Sequence, residues 1–164
     1  MDEHAFWNLI QRADDLAAGD MDEKCEAIKA ALSALPKSDA IAFSALFDAA
    51  MDRAYSWPLW AAAYIINGGC GDDSFSDFRA SLISRGRSAY EAALANPESL
   101  AAEAFDEDAW FYEGYQYAVN DGVTASAGYE PDRISPHPEE PTGTPWAEES
   151  VNDLFPILAR KFAG

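Results

Sequence analysis

The 164-residue chain has little of what marks several classes of protein. It has two cysteines, Cys25 and Cys70, and their wide separation excludes a paired-cysteine metal motif or a dense disulfide framework. No apolar run approaches the roughly 20 residues that a membrane-spanning helix needs, and the first 20 residues carry acids where a signal peptide would carry bases and an apolar run. We therefore expect a reduced, cytoplasmic protein that does not bind membranes.

Basic residues are also scarce, with 11 Lys and Arg against 29 Asp and Glu, for a net charge of −18. Such a surface repels nucleic acids and anionic membranes, which argues against either as a direct ligand. The imbalance is uneven, because residues 91–153 hold 15 acids and one base, Arg133, whereas residues 1–90 hold 14 acids and eight bases. The C-terminal part is predicted to form an acidic surface on a packed N-terminal scaffold.

Hydrophobic residues are abundant, at 49% of the chain, and they recur at three- and four-residue steps. This spacing predicts amphipathic helices, and no strand-like alternation of comparable length competes with it. The predicted fold class is all-α, a compact single-domain helical bundle over residues 1–164. The apolar face predicted for the first helix consists of Phe6, Trp7, Ile10, Ala13, Leu16 and Ala17.

Capping residues and prolines predict where helices begin. Asp20 followed by Glu23 predicts a capping box, in which each side chain accepts from a free backbone N–H group of the first turn. Ser38 is predicted to cap a third helix, and Pro58 to lie in the first turn of an uncharged, buried helix. Gly68 is predicted to end that helix in a left-handed backbone conformation.

The C-terminal third is predicted to contain a helix around residues 110–120 and a proline-rich strap. The strap, residues 131–145, contains five prolines and is predicted to be extended. It would connect the core helices of residues 1–130 to a C-terminal helix of residues 146–164, which Pro156 kinks or divides.

Residues 53–79 contain three linked motifs. They are a Trp-x-Leu-Trp-x-Ala-Ala-Tyr helix, a Gly-Gly-Cys-x-Asp-Asp turn and a Phe-x-x-Phe-Arg helix. With Phe-Trp-x-Leu-Ile at residues 6–10 and Leu-Phe-Pro-x-Leu at 154–158, the chain resembles a family of small acidic bacterial proteins that is catalogued only as a domain of unknown function. The departures are Gly71, Ser74 and Ser81, the last at a position where tryptophan is frequent. The resemblance covers nearly the whole chain and implies no reaction.

The Gly68–Asp73 turn is the first candidate site, because functional groups concentrate on glycine-containing loops. Cys70 could be a reactive thiol whose pKa is lowered by the start of the following helix. The favoured interpretation is a small buried hydrophobe, because the only histidines, His4 and His137, lie near the two ends of the chain and offer no evident base.

Asp72 and Asp73 in the same turn could, together with Arg79, orient a polar substrate or a metal-bound water. Two adjacent carboxylates rarely hold a cation alone, and no metal-binding motif accompanies them. The favoured interpretation is helix capping by one aspartate and an ion pair of the other with Arg79 or Arg53. We therefore assign no catalytic residue, no metal and no cofactor from the sequence.

Trp57, Trp60 and Tyr64 recur at helical spacing, with Asn67 one turn further on. They could line a pocket for a small ligand, because aromatic walls suit such ligands. The favoured interpretation is an ordinary core stripe.

Residues 110–117 carry five aromatic side chains, more than one helix face can bury. Some of them are therefore expected to reach the surface beside acidic residues, as on a surface that binds a cationic protein. Alternatively, the strap covers them. The candidate partner-binding residues are Trp110, Tyr112, Glu113, Tyr115 and Tyr117.

The leading functional hypothesis is a non-enzymatic cytoplasmic interaction or regulatory module, whose acidic, tyrosine-bearing surface binds a basic partner protein. The alternative is a small-ligand binder or metal-dependent enzyme centred on the Gly68–Asp73 turn, with Asn67 and Arg79 beside it. A third possibility is a homodimer that buries the aromatic residues, which the net charge opposes.

Overall fold

The computed structural model describes residues 1–162, except for the side chain of Glu107, and confirms the all-α prediction. No strand occurs in this range, and the single β-bridge joins Ser56 to Thr142 in parallel. Two 3-10 helices, Pro97–Ala102 and Val151–Asp153, accompany the α-helices. The α-helices are α1 (Glu3–Ala17), α2 (Met21–Ser33), α3 (Lys37–Arg53), α4 (Trp57–Asn67), α5 (Asp72–Ser84), α6 (Arg87–Ala95), α7 (Glu107–Trp110), α8 (Gly114–Ala127) and α9 (Pro156–Phe162).

The beginnings of α2 and α3 test the capping predictions. The carboxylate of Asp20 accepts from the backbone N–H of Glu23 at 2.9 Å, as predicted. The N–H of Asp20 donates to the carbonyl of Ala17, so the reciprocal half of the capping box does not form. The prediction for Ser38 is wrong, because α3 already begins at Lys37 and Ser38 lies inside its first turn.

Helix α4 is the central, mostly buried helix that the uncharged segment predicts. The hydroxyl of Ser56 caps it by accepting from the N–H of Leu59 at 3.2 Å, and Pro58 lies in the first turn, where no N–H is needed. Gly68 ends it with a φ of 66°, the left-handed conformation that glycine adopts without steric cost.

Helix α2 packs against both α1 and α8, and all three helices contribute residues to the core. Phe6 and Ile10 of α1 are buried, but Leu16, predicted on the same face, is 75% exposed. The buried face of α1 is therefore narrower than predicted, and the prediction for Leu16 is wrong. Helices α2 and α8 approach so closely at Gly122 that a Cβ atom there would lie 2.9 Å from the backbone oxygen of Lys29.

An ion pair between a buried lysine and a half-buried aspartate joins α1 and α2, and the lysine also contacts α5. The ammonium of Lys24 lies 2.8 Å from the carboxylate of Asp14 and donates to the hydroxyl of Ser84 at 3.3 Å. Lys24 is only 3% exposed. Because a buried charge is costly without partners, these contacts fix the position of α2 relative to α1 and α5.

The helix predicted around residues 110–120 is interrupted. Helix α7 ends at Trp110 and α8 begins at Gly114. The hydroxyl of Ser81 holds the break, because it accepts from the backbone N–H of Tyr112 at 3.2 Å and lies 3.4 Å from the Tyr112 carbonyl oxygen, to which it donates. These polar groups of the backbone are therefore satisfied without a continuous helix.

The strap contains no helix and leads to Val151–Asp153 and then to α9, so Pro156 divides the predicted C-terminal helix. The prediction of a helix at residues 146–150 is wrong, and residues 163–164 of that prediction lie outside the described residues. Leu158 of α9 is fully buried, and Lys161 donates to the carbonyls of Ala101 and Glu103. Within residues 1–162, no helix is long and apolar enough to cross a membrane.

Candidate partner-binding surface

Cys70, in the turn between α4 and α5, is half-buried, and burial raises the pKa of its thiol to about 12. The nearby charge of Asp77 raises this pKa further. The lowered pKa that the reactive-thiol alternative requires is therefore contradicted, because desolvation disfavours the thiolate. Cys25 and Cys70 are both free thiols, and burial raises the pKa of Cys25 to about 11.

Asp72 and Asp73 occupy the first turn of α5, where the positive end of the helix dipole stabilises their negative charges. Neither caps the helix through its side chain, because the N-cap position is Gly71. The capping prediction is wrong for this reason.

The predicted ion pairs of these aspartates are also wrong in the described part of the chain. Arg53 pairs instead with Glu91 through two bonds of 2.7 and 2.8 Å. Arg79 is only 3% exposed and donates to the backbone carbonyls of Met51 and Phe75. Asp72 acts on Arg79 only at a distance, partly offsetting the burial that lowers the pKa of the guanidinium.

The aromatic stripe of α4 packs against other aromatic residues. Trp60 stacks between Trp57 and Phe75, with ring centroids 5.6 and 4.9 Å away. The ring of Trp146, directly after the strap, lies edge-on to Trp57 and Tyr64. Asn67, the fourth candidate ligand residue, donates to the carbonyl of Gly69 and so closes the turn.

Two of the predicted partner-binding residues do not lie on the surface. Trp110 and Tyr115 are both fully buried. Trp110 packs against Phe78 and Phe105, and Tyr115 packs against Phe47. The strap does not cover them, because its own contacts are with α3 and α4, so that alternative is wrong as well.

Tyr112 and Tyr117 are less buried than Trp110 and Tyr115. Tyr112 is half-buried, and its hydroxyl donates to the carboxylate of Asp22 on α2, a bond that raises the pKa of Tyr112 to about 12. Tyr117 is 62% exposed and lies one turn after Glu113 on α8.

An acidic cleft of about 340 Å³ lies between α5 and α8 on one side of Tyr117. The amide of Gln116 donates to Asp77 at 3.4 Å and accepts from the hydroxyl of Ser76 at 3.3 Å, which links the two walls. Burial raises the pKa of Asp77, and repulsion from Glu113 and Asp73 raises it further. The described residues that line the cleft are Asp73, Ser76, Asp77, Glu113, Gln116 and Tyr117, with no basic side chain among them.

A second cleft, of about 320 Å³, lies between α2 and α8 and shares Tyr117 with the first. Asp22, Glu26 and Asp121 contribute carboxylates to it, and Lys29 lies at the same opening. We call the two clefts and the exposed ring between them the Tyr117 surface. It combines Asp73 and Glu113, which the sequence placed in two separate candidate sites.

Sequence reasoning did not identify Asp77, Gln116, Asp22, Glu26 or Asp121 as members of this surface. A partial signal was present, because Asp73 and Asp77 are four positions apart, as are Glu113 and Tyr117, and so share helix faces. Which faces of α2, α5 and α8 meet depends on tertiary packing.

The fold places the chain among small all-α proteins with an acidic surface. Residues 1–124 match the model of a family described as a protein of unknown function (DUF4240), and the chain belongs to this family. The strap and α9 lie outside the matched residues. No curated protein and no solved structure matches the chain.

Proposed function

We propose that the protein is a non-enzymatic cytoplasmic interaction module that binds a basic partner protein through the Tyr117 surface. The observation that carries the proposal is the composition of this surface. Carboxylates from three helices flank one exposed tyrosine, and among the described lining residues the one basic side chain is Lys29, at the second cleft.

The two clefts suit lysine or arginine side chains better than an anionic or apolar ligand. Burial raises the pKa of Asp77 most, and repulsion from Glu113 and Asp73 raises it further; a bound cation would relieve that repulsion. The ring of Tyr117 offers apolar contact area and a hydroxyl at the centre, the combination that is enriched at binding hot spots. Such a surface would speed association with a basic protein, and its affinity would fall as salt rises.

The test is the affinity of a synthetic lysine- and arginine-rich peptide, measured by calorimetry at low and high salt. The Asp77→Asn/Glu113→Gln variant removes two charges from the cleft, and we expect it to weaken binding about tenfold, or about 1.4 kcal/mol. The matched control, Glu139→Gln/Glu140→Gln, removes two charges from exposed strap residues and should weaken binding less than about twofold. Equal losses in the two variants would show binding to net charge alone and would overturn the proposal.

Stability provides an independent readout for the same site. Asp77→Asn should raise the free energy of unfolding by about 0.2–0.5 kcal/mol, because Asp73 and Asp77 repel each other one helical turn apart. Weaker binding with unchanged or higher stability in urea unfolding is the signature of a binding residue. Tyr117→Ala should also weaken binding without unfolding the protein, because the ring is exposed.

A further inference from the structure

The strap is bound to the rest of the protein at a few separate points. Most of its residues are exposed, and Ile134 is 83% exposed. Its first anchor is Arg133, whose guanidinium lies 3.5 Å from the carboxylate of Asp48 and also donates to Asp52, both on α3. Between Arg133 and Thr142, the ring of His137 lies edge-on to Tyr55 at 5.2 Å.

The second anchor is main-chain pairing with the extended residues between α3 and α4. The N–H of Trp57 donates to the carbonyl of Thr142 at 2.8 Å, and the N–H of Thr142 donates to the carbonyl of Tyr55 at 3.1 Å. Gly143 follows with a φ of 89°, and a Cβ atom there would lie 3.0 Å from Cδ of Pro58. The backbone therefore approaches α4 more closely than a larger residue would allow.

The third anchor is Trp146, directly after the strap. Its indole N–H donates to the carbonyl of Trp57 at 2.7 Å, and its ring packs edge-on against Trp57 and Tyr64 at 6.0 and 5.2 Å. Together the anchors combine a charge clamp, main-chain pairing and a seated aromatic ring. Binding grooves use the same three elements to hold extended peptides of other proteins.

We propose that this face, formed by Asp48, Asp52, Tyr55, Trp57 and Tyr64, is a peptide-binding groove that the strap occupies as an internal ligand. The partner is an extended, proline-containing segment of another protein that presents an arginine to the two aspartates and a tryptophan to the aromatic residues. We call this face the α3–α4 groove. Because the strap is tethered at both ends, it competes at high effective concentration and lowers the apparent affinity of the external peptide.

The groove is independent of the Tyr117 surface in its ligand chemistry. Residues 131–146 carry three acids and one base, so a peptide of this sequence is repelled by the acidic clefts. The result of a test on one site therefore does not decide the other.

The test uses the full chain and a synthetic peptide of residues 131–146 as the probe, with affinity measured by fluorescence anisotropy. In the Arg133→Ala/Trp146→Ala variant the strap is weakened, but every groove residue is retained. We expect this variant to bind the peptide at least about tenfold more tightly than the unaltered protein, because the groove is open for a larger fraction of the time. A peptide carrying the same two substitutions should not bind.

The contrary result would be no binding of the peptide to a folded variant, as judged by circular dichroism and thermal melting. Should the double variant fail to fold, Trp146→Phe keeps an aromatic ring but removes the N–H donor, and it should increase affinity by a smaller factor. No increase for that variant would overturn the proposal. Dimerisation of the weakened variant without peptide, seen by analytical ultracentrifugation, would overturn it in favour of a second copy as the occupant.

Discussion

The Tyr117 surface and the α3–α4 groove are built from the same kinds of side chain but are in different states. Each combines aromatic rings with carboxylates on neighbouring helices. In the groove, Asp48 and Asp52 are paired with Arg133 of the strap, whereas Asp73, Asp77 and Glu113 face one another across an open cleft. The groove is occupied because the strap brings a basic residue, Arg133, together with main-chain pairing and the ring of Trp146, whereas no such segment lies over the described part of the Tyr117 surface.

The largest expected effect comes from the ion pair between α1 and α2, because α2 carries one wall of the Tyr117 surface. Asp14→Asn removes the carboxylate partner of Lys24, leaving a buried ammonium with only the hydroxyl of Ser84. We expect a loss of about 3 kcal/mol in the free energy of unfolding, measured by urea denaturation, because an uncompensated buried charge is costly. The displacement of α2 should disturb the open surface more than the groove.

The control for this change is Asp15→Asn on the same helix. Asp15 is exposed and, within the described part of the chain, its side chain accepts only from Gln11, so its substitution should alter stability by less than about 0.5 kcal/mol. Comparable losses in the two variants would mean that the charge of α1, and not the ion pair, stabilises the packing.

The next effect concerns the contact between α2 and α8, which carry the walls of the second cleft. Gly122→Ala would place a methyl group 2.8 Å from Cβ of Leu32 and 2.9 Å from the oxygen of Lys29, so the helices must separate. We expect a loss of about 1–3 kcal/mol in thermal or urea unfolding, as is usual for an overpacked core. A gain in stability of the size that alanine normally brings to a helix would refute this close approach.

The smallest expected effect is a change in the pKa of one carboxyl group, for which we compare Asp48 in the groove with Asp77 in the Tyr117 surface. Burial raises the pKa of both Asp48 and Asp77 above the usual 3.8, and the charge of Arg133 opposes the rise for Asp48 only. The folded protein therefore retains these protons at a higher pH than the unfolded chain does. The contribution of each group to stability is present at low pH and is lost as the pH rises through the raised pKa.

Arg133→Met, which removes the charge but keeps a long side chain over α3, should raise the pKa of Asp48 further. The pKa of Asp77 should not change, and it serves as the control in the same sample. Carboxyl titration by NMR measures both values. An unchanged Asp48 would show that the strap does not act on the groove through this charge.

The positions of most helices could be predicted from the sequence, because local rules set them. The cap at Asp20, the proline in the first turn of α4 and the exit at Gly68 depend on neighbouring residues only. The prediction for Ser38 fails because its neighbours are already helical. The break after Trp110 could not be predicted, because the hydroxyl that stabilises it belongs to Ser81 on another helix.

The candidate site was only partly predictable. Tyr117 and Tyr115 look equivalent in the sequence, yet Tyr117 is exposed and Tyr115 is buried against Phe47 of α3. Arg79, which the sequence offers as a partner for Asp72, lies in the core with backbone carbonyls as its partners. Long-range packing decides such contacts, and periodicity carries no information about it.

By itself the sequence determined that the chain is helical, that it is strongly acidic and where most helices begin and end. These properties follow from side-chain spacing, composition and local hydrogen bonding. Tertiary structure alone decided which carboxylates face Tyr117 and which lie under Arg133 of the strap. The reason is that successive residues of a helix point in all directions around its axis. Only the packing of the neighbouring helices determines which of these side chains are exposed to water.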